Sequence, residues 1–207
     1  GICGRTPSHI MEADTQLRSF SDEILSITCD VMAPGTIPKL IDKVKDTFGT
    51  VHILVNNVGG MGRSGSLNME QTEDIVWDDS YKKNAGVAVQ CTKLVLPLML
   101  AQEWGRVVTI SSIFGKEAGG RPWFTMAKAA EIALMKSLAI DRRHRGVTFN
   151  TVCPGHIRVG NPSEGDWPGP WGSPGDVAGI VAFLCSDQAR HINGACIVVD
   201  GGESRSF

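Results

Sequence analysis

Short apolar runs alternate with helical periodicity along nearly the whole chain, and this alternation constrains the fold more than any other feature. Residues 1–6 read as a short strand running into a loop, and residues 24–29, 51–55, 107–110, 147–152 and 196–199 read as further strands. The stretch 37–48 carries Leu40, Ile41, Val44 and Phe48 at helical spacing and closes on Gly49. Residues 70–102 are mainly helical with Leu94, Leu98 and Ala101 on one stripe, and 125–143 place Ala130, Leu134 and Leu138 in register. Ser173-Pro174-Gly175-Asp176 has the N-cap, first-turn proline and acid that start a helix. Strands separated by helices of this length form right-handed βαβ units, which put a parallel sheet between two helical layers. The expected fold is a doubly wound α/β sheet in one domain over 1–207, without repeats or a linker.

Composition narrows the function. A net charge of −2 and a pI near 6.2, with Lys and Arg scattered, give no footprint for nucleic acid. No apolar run reaches the roughly 20 residues needed to span a bilayer, and the first ten residues lack the layout of a signal peptide. A cytoplasmic protein is expected, with no nucleic-acid or membrane partner. Its six cysteines stand singly and its five histidines are dispersed, so no metal site is expected.

Ligands in such sheets bind beyond the carboxyl ends of the strands, and the informative residues follow the strands. Asp30-Val31 follows the second, Asn56-Asn57-Val58-Gly59 the third, and Pro154-Gly155-His156-Ile157 the fifth; Asp200-Gly201-Gly202 closes the series. After the fourth strand the chain reads S-S-I-F-G-K-E-A-G-G-R-P-W-F-T-M-A-K from Ser111 to Lys128. On a helix starting near Trp123, Phe124 and Lys128 share one face. These motifs, in this order and spacing, resemble the short-chain dehydrogenase/reductase family, whose members have a Rossmann-like fold. The resemblance runs from residue 1 to about residue 203.

The resemblance implies an oxidoreductase that transfers hydride between a nicotinamide dinucleotide and a carbonyl or secondary alcohol, a small-molecule substrate. It implies catalytic roles for Asn84 (in Lys83-Asn84-Ala85-Gly86), Ser112, Lys128 and the residue at 124. In the family that last position is the Tyr of a Y-x-x-x-K motif, whose hydroxyl gives the proton; here it is Phe124. A phenyl ring fills the space but exchanges no proton, so the chain is expected to be weakly active or inactive. Asp30 and Val31 are expected at the adenine, and Asn56, Asn57 and Gly59 beside the cofactor. Lys128 is expected at the nicotinamide ribose, with Pro154, Gly155 and Ile157 at the nicotinamide. Where a site selective for NAD has an acid, this chain has Gly4 followed by Arg5, which favours NADP over NAD.

Two further departures stand out. The Gly-rich turn that opens the family's sequences and cradles the pyrophosphate is not in this sequence. That stretch contributes the central strand, so about one βα unit, on the order of 30 residues, is expected to precede Gly1. Between Ile157 and Ser173, where the family has a longer helical lid, the chain has a short Gly- and Pro-rich piece with Trp167 and Trp171. Trp123, Trp167 and Trp171 are candidates for lining a substrate pocket, although aromatics near loops more often cover core. Arg121 and Arg158 read as solvated. The family pairs subunits through its two long helices, here 70–102 and 125–143, where Ala127, Ala130 and Ala133 permit close approach, so a homodimer or homotetramer is expected. The competing reading is a catalytically silent dinucleotide-binding or scaffolding homologue.

Overall fold

The structure, a computed structural model, describes residues 1–206 except 62, 63, 67, 142, 144, 161–168 and 170. All its strands run parallel. Strands β1 (Ile2–Gly4) and β2 (Ser26–Thr28) pair with each other, and β3 (Ile53–Asn56), β4 (Gly105–Ile110), β5 (Val147–Pro154) and β6 (Cys196–Val199) form a second sheet in that order. Helix α1 (Pro7–Arg18) links β1 to β2 and α2 (Thr36–Phe48) links β2 to β3. From β3 the chain runs through α3 (Asp74–Tyr81) and α4 (Val87–Ala101) to β4, through α5 (Pro122–Ile140) to β5, and through α6 (Pro174–Cys185) to β6.

Strand parity sorts the core into two layers. Along β4, Val107 packs with Val95 and Met99 of α4, Met135 of α5 and Phe149 of β5, while its neighbour Val108 joins Val152 and Leu184 of α6 on the other face. Helix α2 buries Ile37 and Ile41, one turn apart, and ends at Gly49, whose φ of +79° lies where only glycine sits without strain. Helix α6 begins with a capping box: Ser173 Oγ accepts from the Asp176 amide at 3.3 Å, and Asp176 Oδ2 accepts from the Ser173 amide at 2.7 Å.

Two stripes differ from the sequence expectation. On α4 the buried row is Cys91, Val95 and Met99, whereas Leu94 is 37 % exposed. On α5 it is Ala127, Glu131 and Met135, with Ala130, Leu134 and Leu138 only partly covered. In both helices every second or third residue is apolar, so periodicity leaves the facing row ambiguous, and contact with the sheet decides it. Helix α1 is an addition to the elements expected: only Ile10, Met11 and Leu17 among its residues are large and apolar, and it buries no residue fully, so it leaves no stripe in the sequence. The helix from Asp74 to Ala101 is long and apolar enough to cross a membrane by length and composition, contrary to the sequence expectation. Its packing explains that composition: one side of it lies against β3, β4 and α2.

The two sheets do not join. β1 and β3 each have one edge without a strand partner among the described residues, and both line an apolar groove of about 590 Å³ with Ile27, Ile41 and Val58. Ile53 and Val55 of β3 stay 43 % and 41 % exposed. Because every strand is parallel, all carboxyl ends lie on one rim, and the residues singled out by sequence follow there.

Candidate functional site

At the ends of β1, β2 and β3, Gly4, Arg5, Asp30, Val31, Asn57 and Gly59 line one pocket of about 230 Å³, joined by Lys83. Arg5 is exposed and makes no ion pair among the described residues. One oxygen of Asp30 accepts from the Met32 amide at 2.9 Å, so the same carboxylate closes its own turn and faces the pocket. Asn56 is turned the other way. It is 7 % exposed, and its amide donates to Thr92 Oγ1 at 3.3 Å and Thr109 Oγ1 at 3.1 Å, tying β3 to α4 and β4. These bonds fix the strand end that Asn57 and Gly59 follow.

Helix α3 passes into α4 through one π-helical turn, Lys82–Gly86, which carries Asn84. The extra residue turns Asn84 inward, fully buried. Its amide donates to the Gly60 carbonyl at 3.0 Å and the Ser80 carbonyl at 2.7 Å, and its oxygen accepts from the Gly60 amide at 3.1 Å. Gly59 must be glycine for space: a Cβ there would sit 2.7 Å from Asn84 Oδ1 and 2.9 Å from Lys128 Nζ. Asn84, Lys128 and the Gly59 backbone thus meet at one point.

Lys128 reaches that point from α5. It is 4 % exposed, and its ammonium donates to the Ile110 carbonyl at 2.9 Å and to Glu131 Oε2 at 3.1 Å. Ser111 Oγ donates to the Lys128 carbonyl at 2.8 Å, which pins α5 to the end of β4. Ser112 begins the next turn, with its Oγ accepting from the Phe114 amide at 3.2 Å. Phe124 is half-buried one turn before Lys128, with its ring centroid 5.8 Å from the ammonium. The face shared by Phe124 and Lys128 is therefore present, with an aromatic ring at the place where a proton donor is expected.

The loop after β5 closes the other side. The Gly155 amide donates to the Val199 carbonyl at 3.0 Å, and a Cβ at 155 would lie 2.6 Å from Glu203 Oε2. Ile157 pairs with Gly172 in an isolated parallel bridge. Val159 is 82 % exposed.

A family model described as enoyl-(acyl carrier protein) reductase matches residues 8–204. The chain belongs to the short-chain dehydrogenase/reductase family. It is 33 % identical over 186 residues to the 3-oxoacyl-[acyl-carrier-protein] reductase FabG of Escherichia coli (strain K12), which covers 84 % of this chain and 75 % of that protein. It is 32 % identical over 204 residues to the 2-(R)-hydroxypropyl-CoM dehydrogenase of Xanthobacter autotrophicus, covering 91 % of this chain and 81 % of the relative. Among solved structures, an actinorhodin polyketide ketoreductase with NADPH superposes with a TM-score of 0.83 at 26 % identity, over 97 % of this chain and 85 % of the other. The chain is thus an oxidoreductase by family, with the family's α/β fold.

Within this short-chain dehydrogenase/reductase site, two groups carry no signal in the sequence. His156 sits in the loop after β5 with its Nδ1 2.5 Å from Glu203 Oε1, its amide donating to Glu203 Oε2 at 3.0 Å, and its ring edge-on to Phe114 and Trp171. Glu203 lies 47 residues away in sequence, so only the tertiary fold reveals the pairing. Trp123 is fully buried against Trp77 and belongs to the core. Trp171 meets His156 edge-on and carries the Arg158 guanidinium 5.2 Å from its ring, while Trp167 and His144 lie outside the described residues. Arg121, expected in solvent, holds backbone instead: its Nη1 donates to the carbonyls of Ser64 at 2.9 Å, Ser66 at 3.0 Å, and Gly65.

The second group is Glu131, 1 % exposed beneath Lys128. Burial pushes its carboxyl up to about 7, against the pull of the Lys128 ammonium. The folded protein therefore holds a proton on Glu131 that the unfolded chain has already released above about pH 4.5. Stability should fall as pH rises between those two values, by about 3 kcal/mol from this group. Urea unfolding at pH 5 and pH 8 measures it, and Glu131→Gln should remove most of the difference.

Proposed function

We propose that this chain binds NADP(H) and acts on a carbonyl/secondary-alcohol pair of a small-molecule substrate, with the proton half of the reaction slowed by Phe124. The observation that carries the reading is the convergence of Asn84, Lys128 and Gly59 beside the turn at Ser112, on the same strand-end rim as the Arg5 pocket. The absence of a side chain at Gly59 lets Asn84 and Lys128 close on the backbone there, beside the pocket that Gly59 lines. Bound there, NADPH supplies hydride. Arg5 faces the adenosine phosphate, with Asp30 and Val31 at the adenine and Asn57 and Gly59 along the ribose. Lys128 donates to the nicotinamide ribose, and Pro154, Gly155 and Ile157 hold the carboxamide side. Ser112 Oγ orients the substrate oxygen. Asn84, whose amide hydrogens are both used by backbone, fixes the Gly59-Gly60 turn.

The NADPH carried by the related ketoreductase supports the cofactor, as do the reductase names of the relatives. The same reading takes residues 1–207 as one cytoplasmic domain that needs neither nucleic acid nor membrane. Subunits pair as a homodimer or homotetramer through α3 to α5, where Val89, Leu94 and Met126 leave apolar surface at the helix faces. A second reading, a silent dinucleotide-binding homologue, is favoured by Phe124 alone.

Fluorescence titration with NADPH and NADH tests the site directly. NADPH should bind about tenfold or more tightly than NADH, and Arg5→Glu should reverse the order. Equal affinity for both, unchanged by Arg5→Glu, contradicts the assignment of Arg5.

A further inference from the structure

Among the described residues, Glu131 is the one fully buried carboxylate, and the reaction described above gives it no part. Its Oε2 lies 3.1 Å from Lys128 Nζ, three residues back on the same helix. The ammonium has three N–H donors. One is taken by the Ile110 carbonyl and one by Glu131, and the third has no protein acceptor among the described residues. Its surroundings are the Gly59 backbone, Asn84 and the Phe124 ring. Other polar neighbours of the carboxylate are few: the Ser111 hydroxyl, just after β4, lies near it, and among the described residues no second charged side chain is paired with it.

A lysine on a flexible four-carbon stem loses rotamer freedom when it is held for a ligand. Among the described residues, the acceptors that hold it are the Ile110 carbonyl and Glu131, and the Phe124 ring offers no oxygen.

We propose that Glu131 is a positioning residue that clamps Lys128 so that its remaining N–H is presented to the ribose hydroxyls of the bound dinucleotide. The clamp is a charge-assisted hydrogen bond when Glu131 is ionised and a weaker one when it is protonated. Binding of the dinucleotide therefore depends on the state of Glu131, and the burial that raises its proton affinity places the change near neutral pH. This rests on the reading that the site takes NADP(H).

The test measures NADPH affinity from pH 6 to pH 8.5 for the unmutated chain and for Glu131→Gln. The unmutated chain should bind more weakly as pH falls through about 7. The variant should bind about tenfold more weakly at pH 8, as expected for losing a hydrogen bond between charged groups, and should lack the step. A phosphate on the ligand titrates near about 6, and both proteins share that contribution. A purely structural Glu131 would lower the melting temperature of Glu131→Gln and leave affinity and step in place, which overturns the proposal. Should Glu131→Gln fail to fold, the nitrogen resonance of the Lys128 ammonium in the unmutated chain decides. It must move with the same midpoint as the Glu131 carboxyl carbon, and a resonance that stays put while Glu131 titrates overturns the clamp. Absence of any NADPH binding, with the two resonances still moving together, would instead remove the cofactor reading and leave the clamp without its ligand.

Discussion

Phe124→Tyr is expected to raise NADPH-dependent carbonyl reduction by about 10²- to 10⁴-fold, the range that a positioned acid or base contributes. The scaffold for that gain is in place. The ring at 124 sits on the face of α5 that carries Lys128, with the ammonium 5.8 Å from the ring centroid. An ordinary phenol ionises near about 10, and a cation at this distance favours the phenolate, bringing the hydroxyl toward working pH. Position 124 is half-buried. Lys128 and Ser112 should become essential in this background: Lys128→Met or Ser112→Ala should return the rate to that of the unmutated chain. A Phe124→Tyr protein that binds NADPH as before and gains nothing in rate points to the silent-homologue reading.

Trp123→Ala is expected to cost about 3–5 kcal/mol of stability, the range for emptying a fully buried large aromatic. For a chain of this size each kcal/mol lowers the melting temperature by about 2–4 °C. Trp123 has no exposed surface and meets Trp77 edge-on at 5.6 Å. Its carbonyl accepts from Ser80 Oγ at 3.3 Å, and Ser80 in turn supplies a carbonyl to Asn84. The carbonyl bond survives in Trp123→Ala, so the expected cost is that of the emptied indole site beside Trp77. Trp123→Phe should cost much less, because the indole Nε1 it deletes is buried without a partner among the described residues. Thermal unfolding separates the two. A melting temperature unchanged in Trp123→Ala contradicts the assignment of Trp123 to the core.

Much of this architecture is legible in sequence because strand runs, helix periods and caps are local signals. The capping box at Ser173 and the stop at Gly49 appear in the structure as the sequence implies. Local signals fail where burial decides. Glu131 follows Lys128 by three residues, a spacing shared with ordinary exposed pairs such as Asp42 and Lys45. Only the packing of α5 against β4 shows that one pair is in the core and the other in solvent. Asn56 and Asn57 are adjacent and alike in sequence, yet strand parity sends the first into the core and leaves the second at the pocket. His156 and Glu203 come together only because β5 and β6 are neighbours.

The central claim is hydride transfer at the rim where Asn84, Ser112 and Lys128 gather, and isotope transfer tests it most directly. Phe124→Tyr protein is incubated with NADPH deuterated at the nicotinamide C4 and a panel of ketones and aldehydes, and the alcohols are analysed by mass spectrometry. The account predicts deuterium at the carbinol carbon of at least one product, abolished by Lys128→Met. Protein that binds the deuterated cofactor yet forms no labelled alcohol from any carbonyl in the panel contradicts it.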